Sequence, residues 1–329
     1  MKIIITGGAG FIGSHLAENL IKKKNIKKII IIDDFKDGSR KNIKDFEKNK
    51  KIKIYKIDIN KIKKNDPIFK NCKFIFHLAA IADIVPSIVD PFDYCKTNIM
   101  GTINILEAAR YNKINKIIYS ASSSCYGIPK KYPTFENGKI DPKYPYAFSK
   151  YIGEQAIIHW SNVYKIKFVS LRLFNVYGTR SRTSGAYGAV MGVFLKQKLS
   201  KKPLTIVGKG NQKRDFINVK DVSEAFIKCL NPKINNEIIN IGSSYPKKIN
   251  YLVSLISKNK IHIPERPGEP KITHSSISKA KKILKWKPKI NFEDGISELI
   301  NNINYWRDAP LWNRYNIKKA TKNWFKYLK

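Results

Sequence analysis

Three glycines near the N-terminus constrain the fold of this chain more than any other feature. Gly7, Gly10 and Gly13 follow a β-branched run at residues 2–6 and precede a segment, residues 14–23, whose apolar positions recur with helical spacing. A glycine turn between a buried strand and a helix brings backbone N–H groups and the positive end of the helix dipole to one place. The pattern predicts a βα unit whose turn binds the phosphates of a dinucleotide.

Strand-like and helical segments alternate through the first half of the chain, which predicts an α/β fold with a Rossmann doubly wound parallel sheet. We expect residues 1–174 to form an NAD-binding Rossmann domain, joined by a returning strand at 237–241. We expect residues 175–329 to form mainly a smaller C-terminal substrate-binding domain. The predicted strands of the first part are 2–6, 28–33, 51–57, 74–78, 116–120 and 168–173, and its long helices are 91–111 and 145–164.

The formal net charge of +38 raises the question of nucleic acid or an anionic membrane as a partner. The lysines are spread along the whole chain among isoleucine and asparagine, a mixture typical of A/T-rich coding. Helix-turn-helix, zinc-finger and RNA-binding signatures are absent from the sequence. We therefore predict no nucleic-acid partner, although a substrate with two phosphates would still gain from the positive field.

Other sequence features favour a soluble cytoplasmic enzyme without a metal site. The four cysteines lie far apart with no CxxC pair, which argues against a zinc site or a disulfide framework and fits a reducing compartment. The apolar run at residues 3–5 is too short for a signal peptide. No apolar run approaches the ~20 residues needed to cross a bilayer, so we predict no membrane association.

Two acidic residues follow predicted strands. Asp33 lies twenty residues beyond Gly13, where a carboxylate can accept hydrogen bonds from both ribose hydroxyls and would repel a 2′-phosphate. This position favours NAD over NADP, although the neighbouring Arg40 and Lys41 keep NADP open. Asp58 follows the third strand, where it could accept a bond from the adenine amino group or simply cap a helix.

Tyr146 and Lys150 are four residues apart in a segment with a helical pattern, so both side chains lie on one helix face. An ammonium beside a phenol favours the phenolate, which predicts a tyrosine that ionises nearer to neutrality than usual. A hydroxyl from the serine run 122–124 could share the proton. The pair would then act as a base toward an alcohol while a cofactor takes a hydride. An exposed pair on an amphipathic helix is the alternative.

Seven motifs resemble those of the extended short-chain dehydrogenases/reductases, in the branch of NAD-dependent nucleotide-sugar epimerases and dehydratases (UDP-glucose 4-epimerase-like). They follow the family's order through residue 290 or so. These motifs are Thr6-Gly7-Gly8-Ala9-Gly10-Phe11-Ile12-Gly13, His77-Leu78-Ala79-Ala80, Asn98-Ile99-Met100-Gly101-Thr102, Ser122-Ser123-Ser124-Cys125-Tyr126-Gly127, Pro145-Tyr146-Ala147-Phe148-Ser149-Lys150, Arg172-Leu173-Phe174-Asn175-Val176-Tyr177-Gly178 and Arg214-Asp215-Phe216-Ile217-Asn218-Val219.

The resemblance implies a role for each matching residue. Tyr146 is the implied catalytic base, Lys150 holds the nicotinamide ribose and lowers the tyrosine pKa, and Ser122 is the catalytic hydroxyl. The implied substrate-binding residues are Ser123, Ser124, Asn175, Arg214, Arg266 and Thr273. The implied NAD-binding residues, besides Tyr146 and Lys150, are Gly7, Gly10, Phe11, Ile12, Gly13, Asp33, Asp58, Ile59, Ala79, Ala80 and Asn98.

The serine run favours one reaction within the family. The 4,6-dehydratases carry an Asp-Glu pair after the catalytic threonine, whereas this chain has Ser123 and Ser124 there. Hydroxyls are poor acids, so dehydration is disfavoured and the resemblance implies a nucleotide-sugar 4-epimerase acting through a 4-keto sugar. A reductase, a uronic acid epimerase or a uronic acid decarboxylase stays open. A non-catalytic NAD- or RNA-binding protein is the more remote alternative.

The substrate and the assembly are the least constrained predictions. The small Thr273, seven residues beyond Arg266, leaves room for an N-acetyl group, so UDP-hexose and UDP-N-acetylhexosamine are both expected. Arg180 and Arg182 could meet a uronic carboxylate or face solvent. The family implies a homodimer formed by helices 91–111 and 145–164. The basic, aromatic stretch 317–329 is expected to be a packed terminal helix, with a peripheral membrane helix as the alternative.

Overall fold

The computed structural model describes residues 1–181 and 190–328, so Arg182 and most of the predicted loop 180–187 lie outside the described residues. Thirteen strands are present in the described chain. They are β1 (Lys2–Thr6), β2 (Lys28–Asp33), β3 (Ile52–Lys56), β4 (Phe74–His77), β5 (Lys116–Ser122), β6 (Lys167–Leu173), β7 (Asn175–Tyr177), β8 (Leu204–Val207), β9 (Lys213–Arg214), β10 (Phe216–Asn218), β11 (Glu237–Ile241), β12 (Lys247–Lys248) and β13 (Lys260–Ile263).

Seven of these strands form one parallel sheet in the order β11-β6-β5-β4-β1-β2-β3. The order reverses between β1 and β4, which is the switch point at which ligands bind in doubly wound sheets. The prediction of a Rossmann α/β fold is confirmed. Strand β11 comes from late in the sequence and pairs with β6 at the edge of the sheet.

Eleven α-helices surround the sheet and build the second lobe of the described chain. They are α1 (Phe11–Ile21), α2 (Ile84–Val89), α3 (Pro91–Cys95), α4 (Gly101–Tyr111), α5 (Pro145–Tyr164), α6 (Val190–Leu199), α7 (Val219–Lys228), α8 (Ile249–Ile256), α9 (Phe292–Asn301), α10 (Arg314–Ala320) and α11 (Lys322–Tyr327). The helical pattern at 91–111 is interrupted by a π-helical stretch at Lys96–Met100. The terminal stretch forms two short helices rather than one.

The sheet is buried on both faces because its strands are runs of isoleucine. Along β1, Ile3 and Ile5 pack into one core cluster, whereas Ile4 between them packs into the cluster on the opposite face. A further core forms in the C-terminal part of the chain, where helices α6, α8, α9 and α10 pack around Leu252 and Trp306. The functional cleft lies between this core and the carboxyl edge of the sheet.

Candidate active site

A cleft of about 500 Å³ opens at the carboxyl edge of the sheet, a volume in the range of small-molecule sites. One end is lined by Phe11 and Ile12 from the glycine turn. The middle is lined by Tyr146 and its neighbours, and the far end by Arg266 and the residues around it. The cleft therefore joins the two lobes and brings the predicted cofactor, catalytic and substrate residues into one space.

The glycine turn packs closely against neighbouring backbone because its residues lack side chains. Gly7 has φ +72°, and a Cβ there would lie 2.7 Å from the backbone nitrogen of Ala79. At Gly13 a Cβ would lie 2.1 Å from the carbonyl oxygen of Gly7. Helix α1 begins directly after Gly10, with its first backbone N–H groups at this turn. These are the conditions under which a helix N-terminus holds a phosphate group.

Asp33 ends strand β2 and is held rigidly beside the turn. Its Oδ2 accepts a hydrogen bond of 2.9 Å from the Ala9 N–H, and its Oδ1 accepts one of 2.9 Å from the Phe35 N–H. Burial raises the pKa of this carboxyl, and the two N–H donors oppose the rise. The remaining acceptor capacity of the two oxygens suits a pair of ribose hydroxyls, and a 2′-phosphate would meet repulsion.

The two cations that kept NADP open are engaged elsewhere. Arg40 forms an ion pair of 3.0 Å with Glu47. Lys41 donates a bond of 3.3 Å to the backbone carbonyl of Tyr305 and lies 4.8 Å from the centroid of its ring. Both side chains lie at the surface, so the preference for NAD rests on Asp33.

The other predicted cofactor residues divide between the cleft wall and the layer behind it. Ala80 lines the cleft. The Ala79 N–H donates to Thr6 Oγ1 at 3.2 Å, directly behind the glycine turn. Asp58 caps a short 3-10 turn through its Oδ1, which is the alternative role considered for it, and Ile59 in that turn is buried.

Asn98 lies behind the cleft in the π-helical stretch. Its Oδ1 accepts a bond of 2.8 Å from the Ile81 N–H, and its Nδ2 donates to the Ile81 carbonyl at 3.0 Å and to Ser149 Oγ at 2.9 Å. Hydrogen bonds within the protein therefore occupy both the oxygen and the nitrogen of the Asn98 amide. This geometry makes Asn98 a brace between the loop after β4 and helix α5 rather than a direct cofactor contact.

The structure brings together the three predicted catalytic residues. Ser122 is the last residue of β5, and Tyr146 and Lys150 stand on the first two turns of α5. All three line the cleft, with Ser123 and Ser124 beside them. The Ser122 hydroxyl faces Tyr146, where it favours the phenolate, and lies 2.7 Å from Ser124 Oγ. Two serine hydroxyls are therefore available to exchange a proton with the Tyr146 phenol.

The predicted effect of Lys150 on the pKa of Tyr146 is wrong for this structure. Burial raises the pKa of Tyr146, and the hydrogen bond from Ser122 opposes the rise. Burial also lowers the pKa of Lys150 to about 7, against the attraction of Glu154. The Lys150 ammonium lies 4.2 Å from the centroid of the Tyr119 ring. Both groups have lost hydration, so each favours its neutral form.

A buried ion pair supports the catalytic helix from behind. Arg172 on β6 lies 2.6 Å from Glu154, one turn after Lys150, and the Ser170 hydroxyl donates to the same carboxylate at 2.7 Å. Arg172 also donates to the Tyr126 hydroxyl at 2.9 Å. Glu154 carries no signal in the sequence, apart from its spacing of four residues from Lys150.

Two arginines and a carboxylate meet at the far end of the cleft. Arg214 lies 2.7 Å from Glu269 Oε1, and Arg266 lies 2.8 Å from Glu269 Oε2. Burial alone would raise the pKa of Glu269, but the two guanidinium groups hold it below its usual range. Sequence reasoning missed Glu269, whose signal is its position three residues after Arg266. The pair of planar donors suits a diphosphate.

Thr273 and Asn175 lie together on the cleft wall. The Thr273 hydroxyl donates to Asn175 Oδ1 at 2.8 Å and accepts a bond of 2.9 Å from the Asp215 N–H. The small threonine is therefore fixed by the protein and leaves the space in front of it to a ligand.

Two more residues of the cleft were missed. Asp83 lines the cleft and precedes helix α2 with φ +78°, an unusual backbone for a residue with a side chain. The Tyr94 hydroxyl donates to its carbonyl at 2.9 Å. Trp324, expected only to pack the terminal helix, also lines the cleft. Neither residue could be predicted from the sequence. A turn brings Asp83 to the cleft, and contacts with residues distant in sequence bring Trp324 there.

Within residues 1–181 and 190–328, no cluster of histidine, cysteine or acidic side chains could hold a metal ion. The four cysteines are all free thiols. None of the described helices combines the length and the apolar character required for a membrane span.

Comparisons with known proteins place these features in context. A family model described as GDP-mannose 4,6 dehydratase matches residues 4–299. A putative UDP-glucose 4-epimerase of Methanocaldococcus jannaschii is 37% identical over 307 residues, which is 91% of this chain and 97% of that protein.

Two solved structures share the fold over almost their whole length. The UDP-N-acetylglucosamine 4-epimerase of Methanobrevibacter ruminantium M1 is 32% identical, with a TM-score of 0.86 over 91% of this chain and 97% of that chain. The UDP-glucuronic acid 4-epimerase of Bacillus cereus, solved with UDP-glucuronic acid and NAD, is 33% identical, with a TM-score of 0.86 over 92% of this chain and 99% of that chain. The resemblance drawn from the motifs is confirmed.

Proposed function

We propose a function from one premise: the chain belongs to the GDP-mannose 4,6 dehydratase family, and so to the nucleotide-sugar epimerases and dehydratases. The protein is an NAD-dependent nucleotide-sugar 4-epimerase that acts on a UDP-hexose or a UDP-N-acetylhexosamine. One observation carries the proposal: Ser122, Tyr146 and Lys150 line a single cleft in which Ser123 and Ser124 occupy the places of the dehydratase acids.

The residues present fit NAD. The glycine turn offers the N-terminus of α1 to a pyrophosphate, and Asp33 is fixed at the end of β2 to accept bonds from the adenosine ribose. Lys150 would donate to the nicotinamide ribose. A bound NAD would supply a reversible acceptor and donor of hydride for C4 of the sugar.

Tyr146 is the proposed base and acid. In its phenolate form Tyr146 takes the proton from the sugar O4 as the 4-keto sugar forms, and the resulting phenol returns it to O4 after the sugar has turned over. Ser122 would position the phenol and share its proton. General acid–base catalysis by a positioned side chain contributes typically ~10²–10⁴-fold to a rate.

The nucleotide diphosphate is proposed to bind at the far end of the cleft. Arg214 and Arg266 supply planar N–H donors, and Glu269 sets their orientation through bonds of 2.7 and 2.8 Å. Asn175 and Thr273 form the wall beside them. The small side chain of Thr273 supports the acceptance of an N-acetyl group.

Asp83 supports a neutral sugar over a uronic acid. It lines the cleft together with Tyr146 and is one of the groups that raise the pKa of that phenol. A uronic carboxylate near Tyr146 would bring a second carboxylate close to Asp83 in a partly desolvated site. Arg180, considered as a uronate partner, is paired with Glu18 at 2.8 Å instead.

The other reactions of this scaffold are the alternatives. Elimination needs an acid near the leaving group, and Ser123 and Ser124 are hydroxyls. A reductase consumes its dinucleotide stoichiometrically, whereas an epimerase turns over with catalytic NAD. A uronic acid epimerase or decarboxylase needs a carboxylate substrate beside Asp83.

A homodimer is the proposed assembly. The faces of helices α3 to α5 carry exposed apolar side chains, among them Phe92 with 75% of its surface accessible and Val163 with 51%. A second copy of this chain, packed helix against helix, would cover them. Sedimentation at micromolar concentration should give a dimer, and a Phe92→Glu variant should shift it toward the monomer. The four free thiols support a location in the reducing cytoplasm.

The function is tested with a panel of UDP-, GDP-, CDP- and dTDP-sugars, followed by NMR of the anomeric and H4 signals. We expect inversion at C4 of a UDP-sugar without net NADH. Loss of the 6-hydroxyl, release of CO₂ or stoichiometric use of NADH would contradict the proposal.

Asp83→Asn tests the choice of sugar. It should reduce the preference for UDP-glucose over UDP-glucuronic acid ~10-fold, because the like charge is removed. Asp45→Asn, an exposed carboxylate far along the chain from the cleft residues, serves as the control. An unchanged preference in Asp83→Asn would remove Asp83 from the specificity of the site.

A further inference from the structure

The last part of the chain folds back onto the cleft. It lies beyond residues 4–299, which the family model matches. It is anchored on both sides. Ile317 on α10 is buried in the C-terminal core, and the Gln197 side chain on α6 donates to the Trp312 carbonyl at 2.8 Å. Helix α11 then brings Trp324 to the cleft with 2% of its surface exposed. The segment is a fixed part of the fold.

Trp324 contacts two functional parts of the cleft at once. The guanidinium of Arg266 lies 5.3 Å from the centroid of an indole ring, which is a cation–π distance. The indole N–H donates to the carbonyl of Pro267, the next residue, at 2.6 Å. The indole also packs against Tyr144, with 6.1 Å between the ring centroids, and Tyr144 lies two residues before Tyr146.

Arg266 is thereby held between two different groups. Glu269 bonds its Nε at 2.8 Å and its Nη2 at 3.2 Å, which fixes the edge of the guanidinium. The indole of Trp324 fixes its face. An arginine side chain has many rotamers, and ordering them on binding costs affinity unless the protein has already done so.

We propose that Trp324 is a positioning residue of the nucleotide-sugar site. The C-terminal segment supplies the last wall of that site. The ring presets Arg266 for the diphosphate. This inference rests on the proposed function, because it takes a nucleoside diphosphate as the ligand of Arg266. It adds a ligand-orienting role to a segment outside the family match.

The test uses the full-length protein with UDP as the probe. Trp324→Leu keeps apolar bulk but lacks the ring face, and it should raise the Kd for UDP ~10-fold in calorimetry. Trp324→Phe keeps a ring face and should stay within ~3-fold of the original protein. The KM for the nucleotide sugar should follow the Kd, while kcat and the bound NAD change little. Thermal unfolding of each variant shows that it folds.

A double-mutant cycle with Arg266→Met separates orientation from general packing. If the ring acts through the guanidinium, Trp324→Leu should weaken UDP binding by less than 2-fold when Arg266 is already gone. An equal loss in both backgrounds, or an unchanged Kd in Trp324→Leu, would overturn the inference. A protein that inverts C4 of a UDP-sugar and still shows either result keeps the proposed function and loses only this inference.

GDP, CDP and dTDP are measured in parallel to identify the nucleotide. Tight binding of one of these instead of UDP would contradict the uridine part of the proposed function, and the cycle would then be run with that nucleotide. A protein that binds none of the four would overturn both proposals.

Discussion

Two parts of the cleft are built in different ways: the part around Tyr146, which we call the proposed reaction end, and the part around Arg266, which we call the proposed nucleotide end. At the reaction end, Ser122 comes from a central strand, and Tyr146 and Lys150 come from one helix packed on the same sheet. At the nucleotide end, Arg214 belongs to a two-residue strand, and Glu269 and its neighbours lie in irregular chain. The side chains there hold one another through ion pairs and the contact with Trp324.

We infer from this difference that substitutions at the two ends affect chemistry and binding separately. The reaction end obtains its geometry from the backbone of a sheet and a helix. The nucleotide end obtains its geometry from side chains, so a single substitution there alters binding rather than chemistry. We expect changes at the reaction end to reduce kcat and changes at the nucleotide end to raise KM.

The largest effect is expected at the reaction end. Tyr146→Phe removes the proton-carrying hydroxyl and should reduce kcat by ~10² or more, with UDP affinity and bound NAD retained. Steady-state kinetics and calorimetry measure the two properties. Tyr111→Phe, whose side chain is 57% exposed, is the matched control and should leave both unchanged. Undiminished turnover in Tyr146→Phe would remove this tyrosine from the mechanism.

A smaller effect is expected at the nucleotide end. Arg214→Met removes a charge-assisted contact, and such contacts contribute about 1.5–3 kcal/mol, so the Kd for UDP should rise ~10- to 100-fold. The kcat at saturation should fall less than 3-fold. Arg307→Met, on the exposed surface, should have no effect on either. A fall in kcat as large as the rise in Kd would contradict the proposed division of catalysis and binding between the two ends.

We expect low pH to destabilise the part of the protein that contains the seven-stranded sheet, because two histidines are buried there. Burial lowers the pKa of His15 to about 4 and that of His77 to about 3, against 6.5 in the unfolded chain. The unfolded chain therefore binds more protons below pH 6.5, and stability is lost as the pH falls from 6.5 toward these values. The slope is at most about 1.4 kcal/mol per pH unit for each histidine.

Chemical denaturation at pH 7, 5.5 and 4.5 measures this slope. His15→Gln should flatten it, because one of the two neutral imidazoles is gone. The exposed His159→Gln is the control and should leave the slope as it was. Equal slopes in the two variants would show that His15 does not determine the acid sensitivity.

The smallest effect tests a contact between the C-terminal part and the cofactor side. The Tyr305 hydroxyl donates to Asn42 Oδ1 at 2.7 Å, and Asn42 Nδ2 donates to the carbonyl of Ala9 in the glycine turn at 2.9 Å. Tyr305→Phe loses about 1 kcal/mol of hydrogen bonding, so the Kd for NAD should rise ~5-fold. The Kd for UDP, measured in the same preparation, should not change. A shift in UDP binding instead would mean that Tyr305 acts on the other end of the cleft.

Much of the reaction end could be predicted from the sequence, because its determinants are local. The order of strands and helices follows from isoleucine runs and glycines, and the spacing of Tyr146 and Lys150 places both on one helix face. The ionisation of this pair could not be predicted. It depends on burial by residues from other elements, which raises the pKa of Tyr146 and lowers that of Lys150 to about 7.

The sequence by itself determined the doubly wound fold, the family and the residue types at the reaction end. Periodicity and short motifs report contacts between near neighbours in the chain. Only the tertiary structure decided that Glu269 joins the two arginines, that Asp83 enters the cleft and that Trp324 closes its far end. Apart from the Arg266–Glu269 pair, whose members are three positions apart, these contacts join residues separated by tens of positions or more. Their free energy comes from burial and charge in a shared space, which no local pattern records.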